Sequence, residues 1–92
     1  MIKLSEYFDG NVKSLGAEVD GGRFTVGVML RGEYTFPTQS EEHLTVTVGS
    51  VEVQLPGEQW KTVNKGETVV VPPKVGVKFR VQNVVSYVCF YK

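Results

Sequence analysis

The densest chemistry in the chain lies between Gly32 and His43. Glu33, Tyr34, Phe36, Thr38, Ser40, Glu41 and Glu42 gather acids, hydroxyls and aromatic rings into one strand–loop–strand stretch. If the strand continues through it, alternate residues put Tyr34, Phe36, Thr38, Ser40 and Glu42 on one face. A carboxylate on the inner face of a barrel is costly unless it is hydrogen-bonded, so Glu42 there is a candidate for function. The alternative is that Glu41 and Glu42 are solvated loop acids. Three arginines are present, Arg23, Arg31 and Arg80. A guanidinium on a pocket rim suits phosphate, because its fork of donors matches two oxygens. Alternation turns Arg80 outward, whereas Arg23 opens a strand and Arg31 closes it, so either reaches a rim. Near the C-terminus, Tyr87, Cys89 and Tyr91 share one face and Val88 and Phe90 the other. Two tyrosines on a cavity wall offer stacking surface and hydroxyl donors, which fits a nucleobase or a sugar. The same residues read equally as core, with their hydroxyls at its edge. Cys89 reads as a small buried hydrophobe.

Several chemistries have no footing. There is no Cys-x-x-Cys, no Gly-x-Ser-x-Gly and no Gly-x-x-x-x-Gly-Lys. His43 is the only histidine, and a histidine metal site ordinarily needs two or three, so no metal is expected and no cofactor is implied. His43 itself reads as a polar residue at a strand entry. With a single cysteine no internal disulfide can form. Ten basic residues balance ten acidic ones, with no run of like charge, which argues against a nucleic-acid partner. No segment approaches the roughly 20 apolar residues of a membrane helix, and the N-terminus lacks the apolar stretch of a signal peptide. A cytoplasmic location and no membrane partner are the resulting expectations.

Strands must position these groups. Turn residues recur at Asp20-Gly21-Gly22, Arg31-Gly32, Gly49-Ser50, Pro56-Gly57, Asn64-Lys65-Gly66, Pro72-Pro73 and Gln82-Asn83. The runs between them are Phe24–Leu30, Glu33–Phe36, Leu44–Val48, Val51–Leu55, Trp60–Val63, Thr68–Val71, Val77–Val81 and Ser86–Tyr91. Val51–Leu55 and Val77–Val81 alternate apolar and polar residues, the pattern of half-buried strands. The stretch Ser5 to Leu15 reads as an irregular lead-in or edge strand, broken by Gly10. No window carries a helical period. The expectation is all-β: one domain over residues 1–92, its strands closing into a jelly roll or small barrel with a mouth for a ligand. A chain this short buries only about 60–65% of its unfolded surface, so dimerisation is a natural way to add buried area.

Two spacings resemble cupin motifs. Glu42 and Gly49 stand as the Glu and Gly of the first, and Gly66 and Pro72 as the start of the second. Thr38 and Ser40 stand near the places of the first two metal-binding histidines of that superfamily, and Val77 at the place of the last. The chain thus resembles a cupin-type jelly-roll barrel without its metal ligands. A closer resemblance covers nearly the whole chain: it is similar to the small pyrimidine/purine nucleoside phosphorylases. The matching segments are Tyr7 to Gly16, Val26-Gly27-Val28-Met29, Gly32-Glu33-Tyr34-Thr35-Phe36, Leu55-Pro56-Gly57 with Trp60, Val71-Pro72 and Tyr87-Val88-Cys89-Phe90-Tyr91. The family commonly reads Glu-Glu-Met where this chain has Glu42-His43-Leu44, and Tyr-Leu-Cys-Arg-Tyr where Phe90 replaces the arginine. Arg31 stands where proline is frequent, and Arg23 fits an arginine position often seen there.

The resemblance implies a glycosyltransferase reaction, in which nucleoside and phosphate give free base and pentose 1-phosphate, with broad tolerance for purine and pyrimidine bases. Without a metal, side chains must hold phosphate, fix the ribose hydroxyls and help the base depart. The candidates are Arg23 for phosphate, Glu33 or Glu42 for the ribose, and Tyr34, Tyr87 or protonated Glu42 for the leaving base. Arg23, Tyr34 and Glu42 are the catalytic set. Met29, Glu33, Phe36, Thr38, Tyr87 and Tyr91 are the substrate-binding set. Partners are small-molecule nucleosides and phosphate, with a second copy of the chain in a homodimer. The competing expectations are a non-catalytic cupin that binds a small sugar or nucleotide-like ligand, and a structural dimer module.

Overall fold

The computed structural model describes residues 1–92 and contains strands only. They are β1 (Lys3–Tyr7), β2 (Val12–Val19), β3 (Gly22–Pro37), β4 (Glu42–Gln54), β5 (Lys61–Asn64), β6 (Thr68–Val71) and β7 (Gly76–Tyr91). All pairings are antiparallel, in the order β1-β2-β3-β7-β4-β5, with β6 also beside β4. No helix covers either face, so the sheet can bury side chains only by rolling onto itself. The inward face carries the core, which includes Val12, Met29, Val46, Val53, Val71, Val77 and Val85, each at most 1% exposed. Each valine so buried contributes on the order of 1.5–3 kcal/mol.

The long strands β3, β4 and β7 are where the sequence reading needs correction. Arg31-Gly32, Gly49-Ser50 and Gln82-Asn83 read as turns, and each lies inside one continuous strand. The first two are register breaks rather than reversals: β3 slips against β7 between Leu30 and Gly32, and β4 slips against β7 between Gly49 and Glu52. At Gly49, φ is +78° and a Cβ would run into the Val84 carbonyl, so only glycine fits. A glycine that permits a bulge carries the same local signal as one that permits a turn. Ser5 to Leu15 is also more regular than expected, forming a β1–β2 hairpin with its turn at Phe8 to Asn11. There the Gly10 amide donates to the Tyr7 carbonyl and the Asn11 amide to that of Phe8. β2 is an interior strand between β1 and β3.

Candidate functional site

Register lines up the inward side chains in rows across the sheet. The outermost row runs Glu18, Arg23, Tyr91, Glu42 and Val71 across β2, β3, β7, β4 and β6. The next runs Lys3, Gly16, Thr25, Cys89 and Leu44. The third runs Ser5, Ser14, Gly27, Tyr87 and Val46. The rows line a cavity of about 200 Å³, walled by Arg23, Met29, Phe36, Glu42, Tyr87 and Tyr91 from the expected set. Tyr7, Ser14, Gln39, Ser40, Leu44, Phe79 and Cys89 join them.

One wall is aromatic. Phe36 meets Tyr7 and Phe8 edge-on, with ring centroids at 5.3 and 5.4 Å, and Phe79 at 6.0 Å. Such edge-to-face clusters hold a ring stiffly in place. Gly27 has no side chain, and a Cβ there would overlap the Tyr87 ring, so the ring lies across β3 into the cavity. Tyr91 is held twice. The Arg23 guanidinium sits over its ring, 3.9 Å from the centroid, and its hydroxyl lies 3.1 Å from Thr25 Oγ1.

Glu42 stands at the centre of the electrostatics. Burial raises its carboxyl above the ordinary value of 4.5, against the opposing effects of the Cys89 thiol and the Arg23 charge. Cys89 Sγ donates to Glu42 Oε1 at 3.7 Å. Burial first, and then the Glu42 carboxylate, push that thiol up to about 12, so it is not a nucleophile at neutral pH. Burial likewise raises Tyr91 to about 12 and Tyr87 further still, keeping both hydroxyls protonated donors. The cavity therefore offers a desolvated acid, two neutral phenols and one guanidinium that is stacked on Tyr91 but in no ion pair, around an apolar, aromatic interior.

Three expected residues are not brought to it. Tyr34 is buried, and its hydroxyl donates to the Leu30 carbonyl at 2.7 Å and the Arg31 carbonyl at 3.2 Å, across the space left by Gly32. Its ring packs on Phe8, so it staples the β3 bulge instead of facing a ligand. Thr38 is also buried. Its hydroxyl donates to Pro72 O at 2.8 Å and accepts from the Val75 amide at 3.1 Å, clamping the chain after β3 to that after β6. Glu33 is exposed on β3 opposite Arg80. Of the expected common face, Phe36, Ser40 and Glu42 do line the cavity, whereas the Tyr34 and Thr38 hydroxyls are turned to backbone carbonyls. Arg80 is spent on Glu52, bonded through two nitrogens at 3.0 and 3.1 Å, and stacks on Trp60.

The residues at the metal place of cupins do not fit a metal. Thr38 is committed to backbone, Val77 is apolar core, and no three His, Cys, Asp or Glu side chains converge.

A profile of the pyrimidine/purine nucleoside phosphorylase family matches residues 2–91. The chain belongs to that family. Proteins named pyrimidine/purine nucleoside phosphorylase from Photobacterium profundum and Pectobacterium carotovorum are 42% and 47% identical to it, each over 99% of both chains. A solved protein of unknown function from Vibrio parahaemolyticus superposes with a TM-score of 0.96 at 42% identity, covering 100% of this chain and 99% of its own. A cupin-2 domain protein from Rhodospirillum rubrum superposes at 0.78 with 15% identity, over 97% of this chain and 68% of its own, and shows the fold alone. The chain is an all-β cupin-type jelly roll. Two of the three expected departures from the phosphorylase pattern are neighbours: His43 and Phe90 are cross-strand partners between β4 and β7, on the face away from the cavity. Neither side chain lines the cavity wall.

Proposed function

We infer that the chain is a metal-independent nucleoside phosphorylase that accepts both purine and pyrimidine nucleosides. The observation that carries this is one cavity holding a free guanidinium, a desolvated carboxyl and an aromatic wall. Phosphate binds at Arg23, the base stacks among Tyr7, Phe36, Phe79 and Tyr87, and protonated Glu42 donates to the departing base. The bond from the anomeric carbon to the base nitrogen breaks and its electron pair leaves with the base. A phosphate oxygen forms the new bond to that carbon, the base takes the Glu42 proton, and the phosphate's own proton returns to Glu42. Stacking reads the face of a base and not its edges, which supports breadth. The site residues act within one domain, 1–92, and we place the protein in the cytoplasm as a homodimer, for which the uncovered outer face of the sheet speaks.

The test is release of base from uridine and inosine by purified protein, with and without phosphate and with a chelator present. Base appears only with phosphate, survives the chelator, and falls at least about 100-fold in Arg23→Ala. Release without phosphate, or loss with the chelator, overturns the mechanism. Thermal stabilisation by nucleoside with no turnover favours a non-catalytic binder.

A further inference from the structure

Beside the cavity just described lies a second one of about 180 Å³, between β1, β2 and β3. Tyr7, Ser14, Arg23 and Tyr91 line both. Each alone is smaller than the roughly 300–1,000 Å³ usual for small-molecule sites, and only the pair reaches that range. Two substrates that must meet at one carbon fit two adjoining chambers with a shared wall.

The chambers differ in chemistry. The first is aromatic and holds the half-buried acid Glu42. The second is lined by Lys3, Ser5, Ser14, Gly16, Thr25 and Arg23, with Glu18 as its only acid. Neither Lys3 nor Arg23 takes part in any of the protein's ion pairs, which join Lys13 to Glu6, His43 to Glu41 and Arg80 to Glu52. Their charges are uncommitted. Ser14 points to a ligand more directly. It is 7% exposed and its hydroxyl makes no hydrogen bond within the protein, yet it lines both chambers. No buried polar side-chain atom of the protein lacks a partner, so this unbonded hydroxyl is open to the chambers and available as a donor to a bound anion. Gly16 is part of the same lining. A Cβ there would reach ordinary contact with the Thr25 methyl at 3.4 Å, so the bare glycine leaves the chamber that much deeper.

We propose that this second chamber is the phosphate subsite, with Lys3 as its second cation beside Arg23 and the Ser14 hydroxyl as a donor at the wall facing the nucleoside. This deepens the phosphorylase reading and rests on it for the identity of the anion. Arg23 then grips phosphate as a fork from the Tyr91 side, and Lys3 supplies a point charge from β1. The shared wall leaves one face of the anion toward the sugar.

The test titrates inorganic phosphate into the full chain by calorimetry, for wild type, Lys3→Met, Ser14→Ala and Lys13→Met, and follows with kinetics. Lys13 pairs with Glu6 on the outer face, so its variant is the charge control. Phosphate affinity falls about tenfold in Lys3→Met and about fivefold in Ser14→Ala, and stays within about twofold in Lys13→Met. In turnover, Lys3→Met raises KM for phosphate about tenfold and leaves KM for uridine within about twofold. Wild-type phosphate affinity in both Lys3→Met and Ser14→Ala overturns the subsite. Loss in the variants together with a wild type that binds phosphate but turns over no nucleoside keeps the subsite and overturns the phosphorylase reading. Turnover with an unchanged phosphate KM in Lys3→Met does the reverse.

Discussion

At the residue scale, Glu42 sets two opposing demands. A carboxyl withdrawn from water is a better proton donor near neutral pH, and the same desolvation makes its ionised form a burden on the fold. The sign of the pH dependence follows. Its folded value lies above the ordinary 4.5, so the stability associated with it is fully present below that value and is lost as pH rises through the folded value. Glu42→Gln removes the ionisation and keeps an acceptor for the Cys89 thiol. Its melting temperature should therefore exceed that of wild type at about pH 8 and match it at about pH 4, while kcat falls by about 10²–10⁴. Melting curves at the two pH values, with turnover at each, check both halves. A variant less stable at about pH 8, or one with wild-type kcat, removes Glu42 from this role. Glu42 was legible in the chain as an acid inside a strand pattern. So were Tyr87, Cys89 and Tyr91, because their alternation sits in an unbroken strand. Tyr34 and Thr38 misled because a side chain's type does not say where its hydroxyl is spent, and both are spent on backbone carbonyls. Lys3, Ser5 and Ser14 were missed for a related reason. They alternate toward the cavity, but they are polar, and apolar periodicity is blind to a polar inner face.

At the element scale, the site depends on where long strands bend and where glycine clears space. Runs read as pairs of short strands are single strands of 13 to 16 residues, kept continuous by bulges. The alternation in each half was readable, and the phase change between halves was not, because it comes from pairing with a neighbouring strand. Gly27 shows how tightly the elements fix the cavity. It pairs with Tyr87 across β3 and β7, and the ring occupies the place of its missing side chain. Gly27→Ala should force the ring outward or part the strands. The expected cost is about 1–3 kcal/mol, or a drop of roughly 4–8 °C in Tm per kcal/mol for a domain of this size. KM for nucleoside should rise with it, because Tyr87 leaves the wall. Adding Tyr87→Leu removes the overlap, so the double variant should recover part of the lost stability while KM stays high. Strictly additive losses in denaturant melts would show that the ring and the glycine are not coupled.

At the scale of the whole molecule, one face of the sheet holds core and cavity and the other is left to solvent. Leu4, Leu15, Val26 and Val88 form a continuous row across β1, β2, β3 and β7 on that outer face. Leu15, Val26, Val28 and Leu30 are each 42–46% exposed, and Val84 and Phe90 adjoin them. Soluble monomers seldom expose contiguous apolar patches larger than a few hundred Å². Charge argues for a second copy of the chain as the cover. A two-fold contact sets charges near its axis against their own copies, and this row carries none, while the Lys13–Glu6 pair at its margin is self-neutralising. Packing two such faces together makes a second sheet-on-sheet core. Phe90, paired with His43 across β7 and β4 and 41% exposed, extends the apolar area of this face. Val26→Glu should then place two carboxylates against each other across the axis and drive the dimer to monomer in sedimentation equilibrium at about micromolar concentration. Val26→Leu, which keeps the face apolar, should remain dimeric. A monomeric wild type at that concentration, or a Val26→Glu variant that stays dimeric, would mean that this face is not the interface. The cavity opens on the opposite side of the sheet, so association through this face leaves its mouth clear.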